Sequence, residues 1–111
     1  MAAQIQNRHL GDTEVAIATT LQRPGGNAVD LTNTNVRFKM TDAAGTLKVA
    51  ETNSNVQVTD ASNGEVQYDP QSADVDTAGT YHAYFTVEDA DGNKDTFPAI
   101  RGDLEVRIYR D

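Results

Sequence analysis

Asp89, Asp91, Asn93 and Asp95 alternate along the chain and form its densest run of oxygen ligands. Carboxylates at alternate positions are how a calcium loop wraps a hard cation, but that loop needs glycine at its sixth position and glutamate at its twelfth. Counted from Asp89, Gly92 stands fourth and Ile100 twelfth. The run therefore reads as an Asp-Gly hairpin whose acids are solvated. Nucleophilic chemistry has less to build on. The histidines are His9, in the N-terminal segment, and His82, which points outward if Tyr81 points inward. Ser54, Ser62 and Ser72 occur in polar, loop-like stretches, none at the strand-to-helix elbow that exposes a nucleophile. There is no cysteine, which removes disulfides, thiolate ligands and thiol catalysis. No pair of groups has a spacing that specifies acid-base or nucleophilic work, so the expectation is no enzyme, no metal and no cofactor.

Binding chemistry is better supplied. Tyr84 and Tyr109 fall on the outward side of their strands if alternation holds, on two strands that are neighbours in an immunoglobulin topology. Two readings follow: a cross-strand aromatic pair that covers the sheet, or a docking patch, since exposed tyrosines are enriched where proteins meet. Ile5 and His82 join them as candidate interface residues. Arg101, Gly102 and Asp103 spell an adhesive tripeptide, which here reads as a glycine-containing turn before the last strand.

These groups must be positioned by strands, because apolar residues recur with period two nearly everywhere. Val15, Ile17 and Leu21 are expected on one face, as are Val36, Phe38 and Met40 against Arg37, Lys39 and Thr41. Leu47 and Val49, Val56 and Val58, Val66 and Tyr68, then Tyr81, Ala83, Phe85 and Val87, and finally Leu104, Val106 and Ile108 continue the pattern. Turn chemistry separates the runs at Pro24 to Asn27, Asp42 to Gly45, Ser62 to Gly64 and Asp91 to Asn93. About seven or eight short strands at this spacing predict an all-β, immunoglobulin-like antiparallel β-sandwich. Its corner is Asp76, Thr77, Ala78, Gly79, Thr80, Tyr81, where the tyrosine ring packs inside and its hydroxyl returns to the loop. Asp76, Gly79 and Tyr81 are the fold-defining residues of that corner. Ala83 stands where antibody-type domains place their second cysteine, and Phe38 is the substitute core anchor.

Length and charge bound the rest. The 111 residues suit one domain with one two-layer core. Residues 1–10 are expected as an N-terminal arm or an edge strand able to add to a neighbouring subunit, and residues 11–111 as the sandwich. Met1 to Leu10 has no basic region followed by an apolar run, and no stretch reaches the roughly 20 apolar residues that span a bilayer. The expectation is a soluble chain without a secretion signal or membrane contact. Net charge is −8, from 17 acidic and 9 basic residues. Between Asp60 and Asp95 nine carboxylates face the single cation Lys94. Such a surface repels phosphate backbones, so no nucleic acid is expected as a partner.

From Gly11 onward the chain resembles the N-terminal immunoglobulin-like domain of phage baseplate upper proteins, the tail-tip adaptors of siphophages. The resemblance is carried by Gly11, Asp12, Thr13; Leu21, Gly26 and Val29 to Thr32; Val36 to Met40 with the turn Asp42 to Gly45; Gly64, Val66, Tyr68; Asp76 to Tyr81 with Phe85; and Asp91, Gly92, Thr96, Phe97, Pro98. It implies a non-enzymatic virion component, assembled in the host cytoplasm, that docks on other phage structural proteins of the tail, baseplate or capsid and forms a homo-oligomer on the particle in one reading. The sequence ends at Asp111, after the last expected strand, so a stand-alone adaptor or decoration subunit is expected and host recognition is not carried over. The alternative is a carbohydrate-binding or adhesive surface module, with Tyr84 and Tyr109 stacking on sugar rings.

Overall fold

The computed structural model describes residues 4–22, 27–97 and 104–110. Among the described residues nine strands follow in chain order: β1 (Gln4–His9), β2 (Ile17–Thr20), β3 (Asn35–Asp42), β4 (Leu47–Thr52), β5 (Val56–Asp60), β6 (Glu65–Tyr68), β7 (Gly79–Glu88), β8 (Lys94–Phe97) and β9 (Leu104–Tyr109). One short 3-10 turn, Ser72–Asp74, precedes β7. Two sheets form a β-sandwich. The larger runs β1-β9-β7-β3-β4 with β8 also on β7, and the smaller runs β2-β6-β5. All pairings are antiparallel except β1 with β9, which is parallel.

β7 organises the larger sheet because it is the longest strand and carries neighbours on both flanks. β3 pairs with it from Asn35↔Glu88 to Asp42↔Tyr81. On the other flank β9 takes Gly79 to His82 and β8 takes Phe85 to Glu88, so those two strands lie end to end. Strand alternation then turns Tyr81, Ala83, Phe85 and Val87 inward and His82, Tyr84 and Glu88 outward. Phe38, Phe85, Ile17, Met40, Val66, Val75 and Val106 are fully buried between the sheets. Phe38 is at the centre, opposite Phe85 in register and 5.1 Å from it edge to face.

Three of the expected inward positions turn out otherwise. Val15 is 70% exposed, because β2 begins only at Ile17 and the preceding backbone is off the sheet. Leu47 is 56% exposed, because β4 slips against β3: Met40 faces Val49 but the next residue, Thr41, faces Leu47. That slip puts Leu47 on the opposite face from Val49. Val58 is also exposed, on an edge strand bulged between Val58 and Asp60. Conversely, Val29, Leu31 and Val75, all outside strands, are core residues.

The corner before β7 is built from three bonds. Tyr81 donates its hydroxyl to the Thr77 carbonyl at 2.8 Å. Lys48 of β4 bonds the Asp76 carboxylate, which also accepts from the Thr77 hydroxyl at 2.9 Å. Burial pushes the Tyr81 phenol up, and the Lys48 ammonium holds the Asp76 carboxyl below its ordinary range. Thus the corner ties the far edge strand β4 to the start of β7.

Candidate functional site: the outward face of the larger sheet

The register of four ladders places one continuous row across five strands. Ile5 faces Glu105, Glu105 faces His82, His82 faces Thr41 and Thr41 faces Leu47. The row opens on 45% exposed Ile5 and closes on 56% exposed Leu47. Glu105, second in the row, lies 3.8 Å from His82 Nε2 and 2.7 Å from Arg107 Nε. That bond raises the Arg107 guanidinium further above its ordinary range. Two residues beyond His82 on β7, Tyr84 faces Lys39, whose Nζ lies 5.3 Å from the ring centroid. This is a cation over an aromatic face. Arg37, next along β3, reaches Glu88 at 3.4 Å and Glu51 at 3.8 Å.

At the other end of the face Tyr109 is 47% exposed and donates its hydroxyl to Asn7 Oδ1 at 3.1 Å. All four candidate interface residues, Ile5, His82, Tyr84 and Tyr109, therefore lie on this one face. They do not form one cluster. The β7–β9 register stops at His82↔Glu105, so Tyr84 and Tyr109 are six residues apart along the strands, about 20 Å at the usual rise. The cross-strand tyrosine pair is not formed, because β9 pairs only with Gly79 to His82 of β7 and Tyr84 lies past the end of that pairing.

The electrostatics of this face differ from those of the chain. Among the described strands it presents Arg37, Lys39, Lys94 and Arg107 beside Glu51, Glu88 and Glu105, four cations and three carboxylates in a chain of net −8. Most of the other described carboxylates lie in loops or at strand ends instead. Asp60 accepts from Ser62 and Asn63, and Asp30 from Thr32, which keeps both carboxyls below the ordinary range. The outward residues of the smaller sheet, Glu65, Gln67 and Gln57, are polar, and both glutamines donate to Asp69.

The other chemical candidates are dispersed. Asp89 Oδ1 accepts the backbone N–H groups of Asp91 and Asn93, each at 2.9 Å, and these bonds hold its carboxyl low. The carboxylate is thus turned onto its own turn. Among the described residues no group of three or more His, Asp or Glu side chains is arranged to hold a metal ion. Ser54, Ser62 and Ser72 sit on three separate connections, after β4, after β5 and in the 3-10 turn. The Arg101-Gly102-Asp103 tripeptide, Pro98 and the turn residues Pro24 to Gly26 lie outside the described residues. Sequence reasoning missed Leu47, Lys39, Glu105 and Arg107 as members of the face. The alternation of Arg37 and Lys39 with buried neighbours could have found Lys39, whereas nothing in the sequence signals the slip that exposes Leu47.

Comparison with known proteins decides the lineage. The family described as BppU N-terminal domain matches residues 9–100. The chain belongs to this family. It is a domain of phage baseplate structural proteins, located on the virion, and its class implies contact with other phage structural proteins. No curated protein matches it. Among solved structures the chain is similar to the crystal structure of CopC from Methylosinus trichosporium OB3b, with a TM-score of 0.50 at 15% identity over 99% of this chain and 86% of that one. At this identity the likeness is one of fold, the β-sandwich.

Proposed function

We propose that this BppU N-terminal domain is a non-enzymatic adaptor or decoration subunit that docks on a baseplate, tail or capsid protein through the outward face of its larger sheet. The observation that supports this is the contrast in charge. A chain of net −8 keeps one face close to neutral, pairs the charges there with one another, and leaves Ile5, Leu47, Tyr84 and Tyr109 among them. Interfaces have this make-up, with aromatic and arginine residues enriched and unpaired charge depleted at their centre. Residues 11–111 supply the sandwich and β1 its edge, and no nucleic acid, membrane or cofactor enters the reading. The test is co-sedimentation of the chain with purified particles, followed by Tyr84→Ala combined with Leu47→Asp. Loss of the doubly substituted chain from particles at unchanged thermal stability supports the face, and recovery of the native chain only from the soluble lysate, never from virions, rejects the function.

The glycan-binding alternative is less well supported by the same geometry. Lys39 occupies a face of the Tyr84 ring, and Tyr109 is too distant to make a second wall of one sugar site.

A further inference from the structure

We infer that two copies of the chain associate through the free edge of β1, antiparallel about a two-fold axis at Gln6, joining their larger sheets into one. The inference is independent of which virion protein the outward face meets. It concerns β1 and β9, which fall almost wholly outside the residues 9–100 that match the family.

The backbone of β1 is open on one side. Leu10 donates its N–H to the Tyr109 carbonyl at 2.8 Å, which puts the even-numbered residues of this strand on the β9 side of the ladder. Successive residues of a strand direct their N–H and C=O to opposite edges, so Ile5 and Asn7 direct theirs away from β9, to the side on which no described strand pairs with β1. His9 is already engaged there, its carbonyl accepting from the Asp12 N–H at 3.1 Å. A row of open donors and acceptors is a template for another strand.

The other edges among the described strands are protected. β4 shifts register twice against β3 and is tied to the corner by Lys48. β5 is bulged, and β2 and β8 are only four residues long. Short, bulged and charged edges are how sheets avoid pairing with neighbours. β1 has none of these features: six residues in unbroken register, without proline, lysine or carboxylate. Its one arginine does not guard the edge, because Arg8 turns inward, is buried, and donates to the Asp12 carbonyl at 3.0 Å.

Charge and register select a second copy as the occupant. Two chains of net −8 repel across most of their surfaces, but β1 carries no carboxylate, and Glu105 beside it is bound by Arg107. Residues with open backbone groups must meet residues with open backbone groups. Pairing Ile5 with Asn7 of the second copy does so symmetrically, each pair exchanging both hydrogen bonds and leaving Gln6 opposite itself as the wider-bonded pair. The outward faces then run on, with Ile5 of each copy flanked by the other's Asn7. A six-residue strand pair buries less than a standard interface, so the association is weak in solution and concentration-dependent.

Sedimentation velocity of the full chain over rising concentration is expected to show a monomer–dimer equilibrium. Ile5→Pro removes an outward N–H without taking a bond from the β1–β9 ladder, and proline is accepted at such an edge position. It is expected to weaken the dimer about tenfold or more, from two lost hydrogen bonds per dimer, at an unchanged melting temperature. Because the chain has no cysteine, Gln6→Cys reports self-contact alone. The two positions would stand about 4.5 Å apart between Cα atoms, within disulfide reach. Mild oxidation should cross-link Gln6→Cys, while Val15→Cys, exposed elsewhere, stays monomeric. A chain that is monomeric at every concentration, a dimer indifferent to Ile5→Pro, or cross-linking no faster at position 6 than at position 15 overturns the inference.

Discussion

Phe38 and Tyr68 stack across the two sheets with ring centroids 4.1 Å apart and planes 7° from parallel. β3 of the larger sheet and β6 of the smaller one meet at this contact, so it does the work that a disulfide and a tryptophan do in antibody-type domains. Truncating Phe38 to alanine removes its edge-to-face contact with Phe85 as well. Phe38→Ala is expected to cost about 3–5 kcal/mol in urea denaturation. Tyr68→Phe keeps the stack and loses only the hydroxyl bond to Asp74, 2.5 Å, so its expected cost is about 1–3 kcal/mol. Equal losses for the two variants would deny the stack its central role.

Tyr81→Phe tests the corner. The ring stays buried and only the bond to the Thr77 carbonyl is lost, which leaves that carbonyl to water. A loss of about 1 kcal/mol with an unchanged denaturant slope is expected. Faster hydrogen exchange confined to the start of β7 should accompany it, since the corner anchors that end of the strand.

Gly64→Ala should be among the most damaging single-methyl additions. Gly64 has φ +70°, and a Cβ there would come within 2.7 Å of the Leu21 carbonyl oxygen and 2.8 Å of that of Val29. Both atoms belong to backbone that is itself bonded, Leu21 to Gly64 and Val29 to Leu21. The left-handed backbone alone costs an alanine about 1–2 kcal/mol, and the contact adds to it. A thermal shift smaller than that of an alanine placed at Gly92, which has open space around it, would show that the connection between β5 and β6 can yield.

The strands were legible wherever the period-two pattern had turns at both ends. Val36 to Met40 and Tyr81 to Val87 are the paired central strands, and both were readable because each is buried on one face along its whole length. What escaped was register. Leu47 is turned outward by the slip of β4 against β3, the tyrosines are set apart by where the β7–β9 pairing stops, and neither leaves a mark on residue type. Val75 escaped for a related reason: it is buried by the 3-10 turn and its neighbours, and an isolated valine in a polar stretch has no period. For the site, exposed aromatics were readable and their cationic and anionic neighbours on adjacent strands were not, since those become neighbours only through pairing.

Acid should destabilise the fold below the ordinary carboxylate range. Asp30, Asp60, Asp76 and Asp89 are all held low, chiefly by bonds from Thr32, Asn63, Lys48 and the Asn93 backbone respectively. Between the folded and unfolded values the unfolded chain binds more protons, so stability rises with pH there and is lost as pH falls through the folded values. The expected result is a melting temperature that is level near neutrality and declines below about pH 4. Asp89→Asn should flatten part of that decline, because the amide oxygen still accepts from the turn but no longer titrates. A melting temperature that rises on acidification would mean that relief of the −8 net charge outweighs the four turns.

Docking by the outward face should respond weakly to salt. Its charges are already matched within the face, Arg37 with Glu88 and Glu51, Arg107 with Glu105, and Lys39 over the Tyr84 ring. Steering by an unpaired patch would decay once the screening length shrinks to about 3 Å at 1 M salt, whereas apolar and aromatic burial persists or strengthens. Association with particles should therefore survive a high-salt wash and be lost instead on Leu47→Asp with Tyr84→Ala, which remove apolar area without disturbing the core. The matched control is Lys94→Glu, at the rim in register with Glu88, where a reversed charge should slow association more than it weakens the complex. Release of the chain by salt alone would place the contact on the acidic loops, where unpaired carboxylates could meet a basic partner, and would remove the larger sheet from the docking reading.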